Sequence, residues 1–146
     1  MQNDGAPRAE TVRETTDSTG LARFGAALAF LDDVDGDGVP DFAVGAPGDD
    51  QGGSECGSVR ACSGASGATL GTLRGVAPGD ELGAALARGG DADGDGWSEL
   101  LVGAPGASAS AGAVWVMDGR GQGLVSVLSG ATGERLGHAV AGAGDV

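Results

Sequence analysis

The sequence predicts an all-β fold made of repeated four-stranded antiparallel units, arranged as the blades of a β-propeller. Three observations lead to this prediction. A block of sequence recurs after 58 positions, each copy contains short apolar runs bounded by Gly, Asp or Pro, and no segment has the sustained 3.6-residue periodicity of a capped helix. A period near 55 residues with four strands suits one propeller blade, whereas parallel β-coils repeat over a much shorter length.

Three motifs define the repeat. At the constant offset of 58, residues 24–29 match 82–87, residues 33–38 match 91–96, and residues 44–48 match 102–106. A third start at residues 136–140 follows the second after 54 positions. We therefore divide the chain into a partial preceding blade or unassigned segment at 1–23, repeats at 24–81 and 82–135, and the start of a third repeat at 136–146.

Within each repeat the strands follow in a regular order. Residues 26–30 and 42–44 are apolar runs that suit two buried strands on either side of an acidic loop. A second pair is clearest at 113–117 and 123–128, where an Asp-Gly turn between β-rich runs predicts a hairpin. We expect each repeat to end in a polar turn, at 63–67 and 129–133. These patterns predict four strands in each repeat and essentially no helix.

The charge of the chain excludes some classes of partner. The net charge is −13, and all 8 basic residues are Arg. A nucleic-acid-binding surface needs a basic patch, so we expect no nucleic-acid partner. Attraction to anionic membranes is equally unfavourable, and no run of 18 apolar residues predicts membrane insertion. Residues 1–20 contain no hydrophobic signal region.

The acidic residues concentrate in two loops with the same spacing. In each loop, positions 1, 3, 5 and 9 carry carboxylates, and position 7 can offer its carbonyl. The first loop has Asp33, Asp35, Asp37, Val39 and Asp41 at these positions, and the second has Asp91, Asp93, Asp95, Trp97 and Glu99. Glycines at positions 4 and 6 let the backbone curl so that the carboxylates converge. Hard oxygen ligands in a flexible ring favour calcium over magnesium, so we predict two calcium ions.

An EF-hand is the main alternative for such a loop. It requires a bidentate acid at position 12 and a helix on each side. Position 12 is Val44 in the first loop and Val102 in the second, each inside an apolar strand-like run. The EF-hand interpretation therefore fails, and a dockerin interpretation fails with it because no helix follows.

Few residues have the pattern of a catalytic centre. His138 is the one histidine, and its strand-like surroundings favour a structural role. No Gly-x-Ser-x-Gly motif is present, and the two cysteines are far in sequence from the histidine. Cys56 and Cys62 are six positions apart, which is compatible with a local disulfide in an oxidising compartment or with two free buried thiols. We expect no enzymatic activity.

In combination, these motifs resemble the FG-GAP repeat of integrin α-subunit propellers. Phe24-Gly25, the acidic loop and Gly45-Ala46-Pro47 occur in the order of that repeat, and the similarity covers residues 24–146. The later repeats have Leu in place of the first Phe, a conservative change for a buried side chain. The resemblance implies a ring of seven blades, calcium in the loops on one face, and partner binding at the other face and rim. Carried over by position, the ten loop residues above are the calcium ligands.

The resemblance also implies a function. We expect a calcium-binding scaffold for protein recognition or adhesion outside the cell or at its surface, with a protein ligand that the sequence does not identify. The alternative is the propeller portion of a secreted enzyme or lectin with a central ligand site. Seven units of this size need close to 400 residues, so we expect either a piece of a longer protein or a protomer that associates with itself through its incomplete blade.

Overall fold

A computed structural model describes residues 22–121 and 123–144 of the chain, which form two four-stranded antiparallel sheets. The first sheet contains β1 (Ala27–Phe30), β2 (Phe42–Ala46), β3 (Ser58–Cys62) and β4 (Thr69–Arg74), in that spatial order. The second contains β5 (Ala85–Arg88), β6 (Leu100–Ala104), β7 (Ala113–Met117) and β8 (Leu124–Ser129). The prediction of four antiparallel strands per repeat is confirmed. Residues 1–23 were predicted to be part of a preceding blade or an unassigned segment. All but the last two of these residues lie outside the described part of the chain.

The two sheets have equivalent registers. Leu28 pairs with Val44 across β1 and β2, and Leu86 pairs with Val102 across β5 and β6. Both pairs are related by the 58-residue offset of the sequence repeat. Val44 and Val102 are both buried.

The one helical element among the described residues is a single turn, α1 (Ala107–Ser110). It is not a regular helix, because Ser108 and Ala109 have φ of 52° and 57°, in the left-handed region. This turn belongs to a β6–β7 connection three residues shorter than the β2–β3 connection, so that Gly112 corresponds to Gly57 at an offset of 55. The expectation of essentially no helix holds for the part of the chain that is described.

One predicted turn has a different place in the fold. The turn at 63–67 was expected to end the first repeat, but it joins β3 to β4. The N–H of Ser63 donates to the carbonyl of Ala68 at 2.8 Å, which closes this hairpin. The prediction was wrong because Thr69–Arg74 is an exposed outer strand whose polarity resembles that of a loop. Only the turn at 129–133 follows the last strand of its sheet.

The two sheets pack through β1 and β2 of the first and β5 of the second, with glycine at the closest approach. A Cβ on Gly45 would lie 2.0 Å from the carbonyl oxygen of Gly83, so this contact joins backbone to backbone. Gly103 and Gly137 repeat the contact at the same 2.0 Å. Buried apolar side chains from both repeats, Leu82 among them, form one core cluster.

The second repeat and the start of the third each begin with a hydrogen bond to the preceding repeat. The N–H of Leu82 donates to the carbonyl of Cys56 at 3.1 Å, and the N–H of Leu136 donates to the carbonyl of Ala111 at 3.0 Å. Leu82 is completely buried. The start of one repeat is therefore packed into the structure of the preceding one.

The residues just before these starts are paired by charge. Arg23, Glu81 and Arg135 occupy equivalent positions, and all three have positive φ. Glu81 lies 3.6 Å from the guanidinium of Arg23 and 2.6 Å from that of Arg135. These exposed ion pairs link successive repeats.

The cysteines are both buried free thiols, so the structure favours the second of the two alternatives that the spacing left open. The Cys56 Sγ donates to the carbonyl of Asp49 at 3.3 Å. Burial raises the pKa of Cys62, which keeps this thiol protonated. Within residues 22–121 and 123–144, no helix has the length and apolar character needed to cross a bilayer.

Candidate metal centres

The first acidic loop connects β1 to β2 and is folded by its own carboxylates. Asp33 accepts the backbone N–H of Asp37 at 2.9 Å through one oxygen and that of Gly38 at 2.8 Å through the other. Gly36 and Gly38 have φ of 77° and 91°, which glycine adopts without strain. The curl predicted from the two glycines is therefore present.

Three of the four acidic residues predicted as ligands in this loop come together. Side-chain oxygens of Asp33, Asp35 and Asp37 lie within 4.8 Å of one another. Asp41 is not in this group and is completely buried.

The carboxylate of Asp41 instead accepts three backbone N–H groups. They belong to Val34 at 2.7 Å, Asp35 at 3.3 Å and Gly64 at 2.9 Å. This residue ties the acidic loop to the turn between β3 and β4. Sequence spacing alone did not indicate this role.

The second acidic loop, between β5 and β6, brings all four predicted carboxylates together. Oxygens of Asp91, Asp93, Asp95 and Glu99 lie within 4.8 Å of one another. Asp91 organises the loop by accepting the N–H groups of Gly94, Asp95 and Gly96 at 2.7, 3.0 and 2.9 Å. Glu99 is 2% exposed and accepts the N–H of Ala92. A nearly buried carboxylate with a single N–H donor retains capacity for a further positive partner.

The residue at position 7 fixes the orientation of the position-5 carboxylate in both loops. The N–H of Val39 donates to Oδ1 of Asp37 at 2.8 Å, and the N–H of Trp97 donates to Oδ1 of Asp95 at 2.9 Å. Oδ2 of each aspartate is left for another partner. The predicted ligand role of the Val39 and Trp97 carbonyls stays a prediction.

The partner of that Oδ2 differs between the loops. In the first loop the Ser63 hydroxyl lies 3.4 Å from Oδ2 of Asp37. In the second, the guanidinium of Arg120 lies 2.5 Å from Oδ2 of Asp95. Ser63 and Asp118 are equivalent at the 55-residue offset, and Asp118 also pairs with Arg120 at 3.2 Å.

The turn that carries Arg120 is itself well connected. Oδ1 of Asp118 accepts the backbone N–H of Arg120 at 2.7 Å, and the Arg120 side chain also bonds to this carboxylate. The side-chain hydrogen bond from Arg120 lowers the pKa of Asp118. Sequence reasoning treated these residues only as a hairpin turn.

A further pair of side chains joins the two loops. The guanidinium of Arg88 contacts the carboxylate of Asp32 and the hydroxyl of Ser98, the latter at 2.8 Å. The N–H of Ser98 also donates to Oδ2 of Asp32 at 2.9 Å. The two loops are thereby held side by side on neighbouring sheets. Asp32 stands in the first acidic run, but no sequence signal connected it to Arg88.

Two other features bear on a possible ligand site. A cleft of about 330 Å³ between the sheets is lined mainly by apolar residues, with Asp118 and Arg120 at one side. His138 is exposed in a bend, not in a strand as the sequence suggested. Its N–H donates to the carbonyl of Arg135 at 3.3 Å.

The donor chemistry of both loops fits a hard divalent cation. Carboxylates clustered this closely repel one another strongly unless a positive charge lies among them. Carboxylate and carbonyl oxygens are the ligands that calcium prefers. The second loop fits better, because its group contains four carboxylates and that of the first loop contains three.

Comparison with known families agrees with the sequence pattern. The family model of the FG-GAP repeat matches the chain twice, at residues 24–59 and 82–117. Each match contains the first two strands of a sheet and the acidic loop between them; the first match ends two residues into β3, and the second extends to the end of β7. No curated protein matches the chain.

Proposed function

Because this chain is an FG-GAP repeat protein, we propose that each of its acidic loops binds one calcium ion and that the two ions stabilise blades of a protein-recognition propeller. The observation that carries the proposal is the second loop, where four carboxylates meet on a backbone already folded around them. The bound ion supplies positive charge that offsets the repulsion among these groups. Its role is structural.

In the second loop, Asp91, Asp93, Asp95 and Glu99 would hold the ion. In the first loop, the corresponding holders are Asp33, Asp35 and Asp37. Asp41 stabilises the backbone of that loop and is not among the holders, because its carboxylate already accepts three N–H groups.

The exposed face of β1 supports a larger propeller. Leu28 and Phe30 are 63% and 74% exposed, whereas Leu86, the equivalent of Leu28, is 8% exposed because the first sheet covers it. A further blade on the β1 face would bury Leu28 and Phe30 in the same way. That blade comes from residues beyond those described or from another copy of the chain.

The recognition role rests on the family. FG-GAP repeats typically build propeller scaffolds in extracellular and adhesion proteins. We propose that this chain acts there, with a protein as its ligand and no catalytic activity of its own. The engagement of the loop carboxylates by backbone N–H groups supports a structural use of these acids.

Calorimetric titration of the chelator-treated protein tests calcium binding. We expect a stoichiometry near two, with dissociation constants on the order of 10⁻⁴ to 10⁻³ M, the range of extracellular calcium modules. Asp35→Ala and Asp93→Ala should each reduce the stoichiometry to one. Absence of binding at millimolar calcium would overturn the proposal.

A further inference from the structure

The oxygen that distinguishes the two loops is Oδ2 of the position-5 aspartate. In both loops, Oδ1 of this residue already accepts a backbone N–H from position 7. Oδ2 is therefore the oxygen more readily available to a cation in the loop. Whatever else contacts Oδ2 competes with that cation.

The competing group is weak in the first loop and strong in the second. Among the described residues, Oδ2 of Asp37 has the neutral Ser63 hydroxyl as its hydrogen-bond partner, at a long 3.4 Å. Oδ2 of Asp95 meets the guanidinium of Arg120 at 2.5 Å. Charge-assisted hydrogen bonds are shorter and about twice as strong as neutral ones. The second loop thus has a positive charge of the protein's own beside one of its carboxylates.

We propose that Arg120 is an internal cation that competes with calcium for Asp95 and weakens calcium binding by the second loop. This inference rests on the proposed function, since it concerns the regulation of the same site. Arg120 acts through Asp95 and is not itself a ligand. Without Arg120, the second loop would bind calcium more tightly.

The surroundings of Arg120 allow it to leave Asp95 easily. Asp118 contacts the guanidinium through both carboxylate oxygens, at 3.4 and 3.2 Å, and holds the Arg120 backbone as well. When calcium takes Oδ2 of Asp95, the guanidinium keeps this second partner. Because the Arg120 side chain is 39% exposed, its movement away from Asp95 leaves no buried unpaired charge. The exchange therefore needs only a small movement of one side chain.

Trp97 provides a probe for the second loop alone. It occupies position 7 of that loop, where the first loop has Val39. Terbium, a luminescent ion that replaces calcium, is excited through a nearby tryptophan. The sensitised signal should disappear in Trp97→Phe, which assigns it to this loop. Displacement of terbium by calcium then gives the calcium affinity of the second loop.

The central variant is Arg120→Gln, which removes the charge and keeps a side chain of similar shape. From the strength of exposed ion pairs and of Coulomb repulsion between cations, we expect its second loop to bind calcium about two- to tenfold more tightly. Arg120→Lys, which keeps the charge but loses the planar fork, should give a smaller gain. Arg74→Gln is the matched control, because Arg74 bonds to Gln51 away from the loops. The first loop should bind equally in all variants.

A stability measurement separates competition from a simple structural role. In chelator, Arg120→Gln should lower the melting temperature, because the clustered carboxylates lose their counter-charge. In saturating calcium, the same variant should be as stable as the original chain or more stable. A purely structural role predicts a loss in both buffers.

The outcomes also separate this inference from the proposed function. Unchanged or weaker calcium binding by the second loop of Arg120→Gln would overturn the inference and leave calcium binding by the original chain standing. If neither the original chain nor the variant bound calcium or terbium, the proposed function itself would be overturned. Tighter binding in the variant, with no change in Arg74→Gln, supports both.

Discussion

The two acidic loops have the same backbone design but different surroundings. In each loop the position-1 aspartate accepts the N–H groups of positions 5 and 6, and position 7 holds the position-5 aspartate. They differ at position 9, where Asp41 is occupied by the backbone and Glu99 joins the carboxylate group. They differ again in the turn that contacts each loop: this turn places Ser63 beside the first loop and Arg120 beside the second. Spacing thus determines the shape of the loop, and its neighbours determine its electrostatic environment.

A second difference lies in the connections after β2 and β6. The first repeat has the buried pair Asp49 and Ser58, and the second has Ala107 and Ala113 at the equivalent positions. Burial raises the pKa of Asp49, but hydrogen bonds from Ser58 and from the N–H of Gln51 outweigh it and lower the pKa overall. The first repeat therefore has a buried carboxylate where the second has small apolar side chains.

The largest expected effect is the loss of both ions. At calcium concentrations a hundredfold above the dissociation constant, each bound ion contributes about 2.7 kcal/mol to the free energy of unfolding. Asp35→Ala and Asp93→Ala should each remove one such contribution in calcium and cost much less in chelator, because each carboxylate accepts a single N–H at 3.1 Å. Thermal melts in both buffers measure this. Equal losses in the two buffers would show that these residues serve the loop backbone alone.

Substitution of the two position-9 residues should affect the free energy of unfolding differently. Asp41→Ala leaves three N–H groups without their acceptor and should cost about 3 kcal/mol in calcium and in chelator alike. Glu99→Ala removes one acceptor and should cost about 1 kcal/mol in chelator and distinctly more in calcium. Chemical denaturation of each variant with and without calcium provides the comparison. If Asp41→Ala also cost much more in calcium, Asp41 would have to be a ligand.

The position-4 glycines should behave identically. Gly36 and Gly94 have φ of 77° and 78°, and nothing lies within 4 Å of a Cβ placed on either. Alanine there would meet no clash and only the strain of the left-handed region, about 1 kcal/mol in each loop. Gly71→Ala is the control, since this position is also open but does not need a positive φ. Unequal losses for the two variants would contradict the shared backbone design.

The smallest effect is the pH dependence that Asp49 gives to the stability of the first repeat. The pKa of Asp49 is lower in the folded chain than in the unfolded chain, so its stabilisation is complete above the unfolded pKa of about 4 and is lost as the pH falls through the lowered value. The stability difference between the original chain and Asp49→Asn should shrink in acid. Measuring both in chelator removes the contribution of calcium. A difference that does not change with pH would contradict the lowered pKa.

The strands and the carboxylate groups could be predicted because both depend on local sequence. Short apolar runs bounded by Gly and Asp located β1, β2 and β7, and the Asp-Gly turn located the β7–β8 hairpin. The 58-residue offset paired the two loops, since Gly at fixed positions determines how such a loop curls. The outer strand β4 was missed, because a solvated strand has too few apolar residues to show the pattern.

The residues that contact the two loops could not be predicted from the 58-residue offset. Ser63 corresponds to Asp118 at 55 residues, not 58, because the connection containing α1 is three residues shorter. At the 55-residue offset Arg120 corresponds to Ala65, so the first repeat has no equivalent cation that the repeat pattern could indicate. The contact between Arg88 and Asp32 joins two repeats, and a pattern that recurs within each repeat does not indicate contacts between repeats.

The way each repeat starts on the preceding sheet affects how fragments of this protein should be cut. A fragment of residues 24–81 follows the sequence boundary, yet it removes Leu82, the buried residue whose N–H bonds to Cys56. A fragment that continues through Gly83 keeps that side chain and its hydrogen bond. The smallest piece suited to expression or grafting is therefore longer than the repeat, because it must carry the first residues of the next one.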